Sequence, residues 1–189
     1  MIDARRIEEA GLNALQTQRQ LFYDGWLLRV SPGSAKRARS VNAHFGSTLP
    51  LDEKIAHCER VYGERELPAL FRITPFVHPA DLEGALARRG YRPFQPTLVQ
   101  AMELVGRELP SQGPAEVALV EPSIDAFADA VAALRGSPPG QRDALRERLV
   151  HSPLDGRHAL ALVDGAPVAA GKTAREGDVV GVFDVVTAG

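Results

Sequence analysis

The run Ala159-Leu160-Ala161-Leu162-Val163-Asp164-Gly165-Ala166-Pro167-Val168-Ala169-Ala170-Gly171 decides how this chain folds. Two apolar stretches flank an Asp-Gly pair, and both turn residues tolerate the positive φ of a tight hairpin. The reading gives strands over 158–163 and 167–173. Downstream, Glu176-Gly177-Asp178 turns the chain into a further strand over 179–187. Upstream, Pro138-Pro139-Gly140 leads into a helix with Leu145 and Leu149 on one face. Before it, Ile124, Phe127, Val131 and Leu134 recur at helical spacing between a Ser123 N-cap and a Gly136 stop. Residues 117–120 read as an opening strand.

Residues 107–114, with two prolines, a glycine and no periodicity, read as a linker. Ahead of it lies a second set of elements. A short amphipathic helix covers 4–17, and a hairpin is built on Asp24-Gly25 between Gln20–Tyr23 and Trp26–Val30. A strand follows over 37–45. Pro50 opens a helix whose buried stripe is Leu51, Ile55, Cys58 and Tyr62. Then come a strand over 69–73, a helix from Pro79 to Gly90, and a strand over 97–104. The two halves share an order of elements with little residue identity, so a tandem duplication is one hypothesis.

Composition narrows the function. Of the 189 residues 44% are hydrophobic and 24% charged, enough apolar material for a packed core. The net charge of −2 favours neither nucleic acid nor an anionic membrane as partner. No apolar run reaches the roughly 20 residues of a membrane helix, and the charged start lacks a signal core. A cytoplasmic location is expected. The single cysteine, Cys58, cannot form an internal disulfide and reads as a buried structural thiol. The five histidines show no metal-ligand spacing among themselves or with Cys58, so no metal is expected. Arg37 and Arg39 alternate onto one face of their expected strand, which reads as solvated. No Gly-x-Ser-x-Gly nucleophile elbow occurs.

With the hairpin, the helix pair before it and the closing Gly181-Val182-Phe183-Asp184-Val185-Val186-Thr187, residues 115–189 resemble the first half of a GCN5-related N-acetyltransferase domain. Residues 18–104 resemble one too, with Arg88-Arg89-Gly90-Tyr91 similar to that family's late helix end. The resemblance implies an α+β fold whose mixed, mostly antiparallel sheet is flanked by helices. It divides the chain into a degenerate acetyltransferase-like part (1–106), the linker (107–114) and the N-terminal half of an acetyltransferase domain (115–189). It also implies acetyl-CoA as cosubstrate and transfer of an acyl group to a small-molecule or protein amine. In the family, backbone groups of the closing strand hold the cofactor's pantetheine arm, and the matching residues are Val185, Val186 and Thr187. The family's phosphate-binding loop follows that strand, whereas this sequence ends at Gly189, so a truncated form is expected. In the first part, Gly46-Ser47-Thr48-Leu49-Pro50 stands in the corresponding place and makes a poor phosphate cradle.

Asp184, on the closing strand, is the candidate catalytic residue. It would orient the acceptor amine or act as a base through water, or else serve as a carboxylate at the sheet edge. Glu121 is a weaker candidate for lining an acceptor pocket. The family's thiolate-protonating tyrosine lies beyond residue 189, and Tyr23, Tyr62 and Tyr91 do not match it. A second class of function remains open: a non-catalytic binding module that pairs, as a homodimer or with another chain, through the open edge at 179–187.

Overall fold

The computed structural model describes residues 3–15, 17, 19–31, 35–108 and 113–189. The chain divides into two compact units. One is Thr17–Ala101; the other joins Met1–Gln16 to Met102–Gly189.

The Thr17–Ala101 unit is a four-stranded sheet in the order β1-β2-β3-β4 with two helices. Its strands are β1 (Gln20–Tyr23), β2 (Trp26–Arg29), β3 (Val41–Asn42) and β4 (Phe71–Arg72). The first three pair antiparallel, and β3 pairs β4 in parallel. Asp24 (φ 42°) and Gly25 (φ 82°) make the expected hairpin turn. Helices α2 (Leu51–Gly63) and α3 (Leu82–Arg88) supply Ile55, Cys58, Tyr62, Leu82, Ala85 and Leu86 to a core that also buries Trp26, Leu28 and Val41. Asp52 and Glu53 sit in the first turn of α2, where negative charge meets the positive end of the helix.

Two expected strands of this half differ from the reading. Over 37–45 only Val41–Asn42 is strand, because Lys36–Ala38 closes a 3-10 turn and takes Arg37 and Arg39 off any ladder. Over 97–104 there is no strand at all. Gln95 turns the chain at φ 49° just before it, and Leu98, Val99, Met102 and Leu104 stand exposed without a neighbouring strand to pair with.

The other unit begins with α1 (Ala4–Asn13), capped by the Asp3 side chain accepting from the Arg5 amide. The sequence reading grouped this helix with the first part. In the structure it packs beside the strand over 179–187, and at the end of the preceding strand Arg6 Nη1 meets Glu176 Oε1 at 2.7 Å and Asn13 Nδ2 donates to Glu176 Oε2 at 2.9 Å. Of the linker expected at 107–114, residues 109–112 lie outside those described. Beyond it the reading and the structure run together: β5 (Ala118–Val120), α4 (Ile124–Arg135), α5 (Pro139–Val150), β6 (His158–Val163), β7 (Ala166–Glu176) and β8 (Val179–Thr187).

Strands β5 to β8 form one antiparallel sheet in chain order. Ser123 Oγ caps α4 by accepting from the Ala126 amide, and Gly136 ends it in the left-handed region at φ 60°. Helix α4 lies across β6, β7 and β8 with α5 against it. Phe127, Ala128 and Val131 are thereby buried with Leu145, Leu149, Leu160 and Ala170. The opposite face of β8 has no such cover: Val180, Val182 and Val185 are exposed.

Candidate functional site

Strand β8 is an edge strand with an irregularity in its middle. Ala170 pairs Val186 and Lys172 pairs Phe183, so Asp184 and Val185 together oppose the single residue Gly171. This is a β-bulge, and Asp184 takes the left-handed conformation (φ 54°) that lets the extra residue fit. A Cβ at Gly171 would lie 3.6 Å from Val185 Cγ2, an ordinary contact, so the bulge does not depend on glycine there. The consequence is local: the bulge breaks the ladder and aims Asp184 toward the helix side, while Val185 is 64% exposed on the other.

On the helix side Asp184 meets two cations. Its Oδ1 lies 3.4 Å from Arg135 Nη2 at the C-terminal end of α4, and its Oδ2 lies 3.5 Å from Lys172 Nζ on β7. Arg148, on α5, is half-buried and electrostatically coupled to Asp184, Arg135 and Lys172. Burial pushes the Lys172 ammonium below its ordinary pKa, while Asp184 opposes the shift. Burial lowers Arg148 as well, with Asp184 opposing and Arg135 adding to the effect. His158, tilted against Phe127 at 4.9 Å, is lowered first by burial and then by Lys172.

The residues expected from the sequence therefore fall into two groups. Asp184, Val185, Val186 and Thr187 lie at and just after the bulge. Of these, Val186 packs against the core and Thr187 is exposed. Glu121 does not join them: it is exposed and lies 3.9 Å from an exposed Arg157. Sequence reasoning did not find Arg135, Arg148 and Lys172. The one signal among them is Lys172 itself, a lysine following the apolar run 166–171 in a chain whose basic residues are nearly all arginine.

In the Thr17–Ala101 unit the entry to α2 is closed from within. The amides of Thr48 (3.0 Å) and Leu49 (2.9 Å), just ahead of α2, both donate to the Asp24 carboxylate, as does the Thr48 hydroxyl (2.8 Å). Lys54 Nζ sits 3.2 Å from the same carboxylate and 4.1 Å over the Trp26 ring. The two backbone amides hold Asp24 far below the usual carboxylate range. These helix-entry amides are thus occupied by a carboxylate of the chain itself. The tyrosines of this unit are structural: Tyr62 donates to the Arg29 carbonyl, Tyr91 to Glu59, and Tyr23 stacks on His57. Cys58 is fully buried and burial pushes its thiol up to about 12. Among the described residues no three His, Cys, Asp or Glu side chains converge on a metal-sized site, and no helix is long and apolar enough to cross a membrane.

No family model and no curated protein matches the chain by sequence. Among solved structures, a GCN5-related N-acetyltransferase from Kribbella flavida superposes with a TM-score of 0.64. The match covers 99% of this chain and 73% of that one at 20% identity. At that identity the likeness is one of fold, and the chain has the α+β fold of a GCN5-related N-acetyltransferase.

Proposed function

We propose that this chain carries the acyl-CoA-binding strand of an N-acyltransferase, and that the strand is β8. The observation that supports this reading is the bulge at Asp184–Val185 on an unpaired edge. A broken ladder on an edge strand leaves backbone N–H and C=O groups that an extended ligand can pair with. Val185, Val186 and Thr187 would hold the pantetheine arm of acetyl-CoA through those groups. Bound there, acetyl-CoA supplies a thioester as acyl donor. The acceptor nitrogen forms a bond to the acyl carbon, the carbon–sulfur bond breaks, and the proton lost by nitrogen ends on the departing sulfur. Asp184, held by Arg135 and Lys172, orients the acceptor at the bulge. The Thr17–Ala101 unit, whose helix-entry amides Asp24 already occupies, is read as a non-catalytic copy.

The reading is tested by melting the protein across a range of acetyl-CoA concentrations. At a hundredfold excess over Kd, binding adds about 2.7 kcal/mol of stability, a rise of several degrees in Tm. An unmoved Tm at saturating acetyl-CoA contradicts it.

A second reading rests on the exposed Val180, Val182 and Val185 along β8. A strand of this kind suits a non-catalytic module that dimerises or docks another chain by its edge. Sedimentation equilibrium separates the readings, since a strictly monomeric protein from micromolar to millimolar concentration removes the dimeric form of the second.

A further inference from the structure

We infer that Lys172 is a self-acylation site, to which the chain transfers the acyl group of an acyl-CoA bound at β8. This rests on the acyltransferase reading, which supplies the donor, and adds a modification site to it. Lys172 lies on β7, directly opposite His158 of β6 and Phe183 of β8. Its side chain reaches the bulge: Nζ stands 3.5 Å from Asp184 Oδ2, one residue ahead of Val185–Thr187. The amine is thus placed where the ladder opens, and both members of the pair keep a window to solvent, at 10% and 20% exposure.

Two properties suit this amine to attack a thioester. Burial favours its neutral form, the one with a free lone pair. The Asp184 carboxylate is in place to take the proton that the ammonium gives up first. Neutral Nζ then bonds to the acyl carbon and the carbon–sulfur bond breaks. The proton that nitrogen loses in this step ends on sulfur as free CoA thiol, and Asp184 passes its own proton to water. The product is an uncharged amide, so Asp184 loses the charge of Lys172 and keeps that of Arg135, 3.4 Å away. The other two lysines give an internal comparison: Lys36 is exposed, and Lys54 is fully buried against Asp24 and Trp26. A reagent arriving from solution takes Lys36 first, whereas a donor held at β8 takes Lys172.

The test incubates the 189-residue protein with a series of acetyl-CoA concentrations and maps acetyl groups over time by peptide mass spectrometry. Amide NMR of Val185–Thr187 on the same samples reports donor binding. Lys172 should be acetylated at least about tenfold faster than Lys36, at a rate that saturates together with the amide shifts. Lys172→Arg keeps a cation beside Asp184 but no nucleophilic amine, and should lose the fast phase of incorporation seen in the intact mass. Saturated shifts with Lys172 unlabelled, or labelled no faster than Lys36, overturn the inference and leave the acyltransferase reading standing. Neither shifts nor label removes both. Fast labelling of Lys172 that does not saturate, or that occurs without shifts at Val185–Thr187, is reaction from solution and overturns the inference as well.

Discussion

Lys172 Nζ and Asp184 Oδ2 stand 3.5 Å apart across the bulge between β7 and β8, with Lys172 10% and Asp184 20% exposed. A pair this sheltered is little screened by salt, and each partner depends on the other for its desolvated charge. Arg135 adds the end of α4 to the same carboxylate. The pairing thus ties the bulged residue to both a neighbouring strand and the covering helix.

Asp184→Asn should therefore destabilise the unit by about 1–3 kcal/mol, since it leaves Lys172 and Arg135 without their counter-charge. Urea unfolding would measure it. A smaller loss in 1 M salt than in dilute buffer is not expected, because the pair is shielded from mobile ions.

Gly25 and Gly165 hold equivalent hairpin turns at φ 82° and 78°, yet their surroundings differ. A side chain at Gly25 would overlap the carbonyl oxygen of Gly46, whereas nothing lies near Gly165. Gly165→Ala should cost about 1 kcal/mol from backbone strain alone. Gly25→Ala should cost about 3 kcal/mol or more. Equal losses for the two in thermal unfolding would mean that Gly46 moves aside freely.

Cys58 is fully buried and its thiol is pushed up to about 12, first by burial. It should resist a thiol reagent such as iodoacetamide at pH 8 in the folded protein and react fully in denaturant. Mass spectrometry of the labelled chain reads the result.

Both His57 and His158 have pKa values lowered below the ordinary 6.5, first by burial. The sign follows from linkage. Below pH 6.5 the unfolded chain binds protons that the folded chain refuses, so stability falls as pH drops from 7 toward 5. His57→Gln and His158→Gln should each flatten that slope in urea titrations across the range. Asp24 acts in a separate window: its lowered pKa contributes stability above about 4 that is lost on further acidification.

The sequence was most legible where turn chemistry was local. Asp24-Gly25 and Asp164-Gly165 each announce a hairpin within two residues, and both hairpins form. Strand β8 runs over the expected 179–187, because Glu176-Gly177-Asp178 bounds it on one side. Residues 97–104 show the limit of such reading. Their apolar character favours a strand, but a strand needs a neighbour, and sequence pattern does not say whether one is free. The bulge at Asp184 was equally hidden, since it depends on the register against Gly171. So was the pairing of Asp184 with Arg135 from α4 and Lys172 from β7, which meet only after packing. Asp24 closing the amides of Thr48 and Leu49 is a contact across 24 and 25 residues that no local pattern encodes.

The central claim is that β8 binds the acyl donor, and backbone amide NMR during an acetyl-CoA titration tests it most directly. The account predicts saturable shifts concentrated at Val185, Val186 and Thr187, with the amides of Thr48 and Leu49 unmoved. Saturation with no change at Val185–Thr187, or shifts centred instead on Thr48 and Leu49, would contradict it.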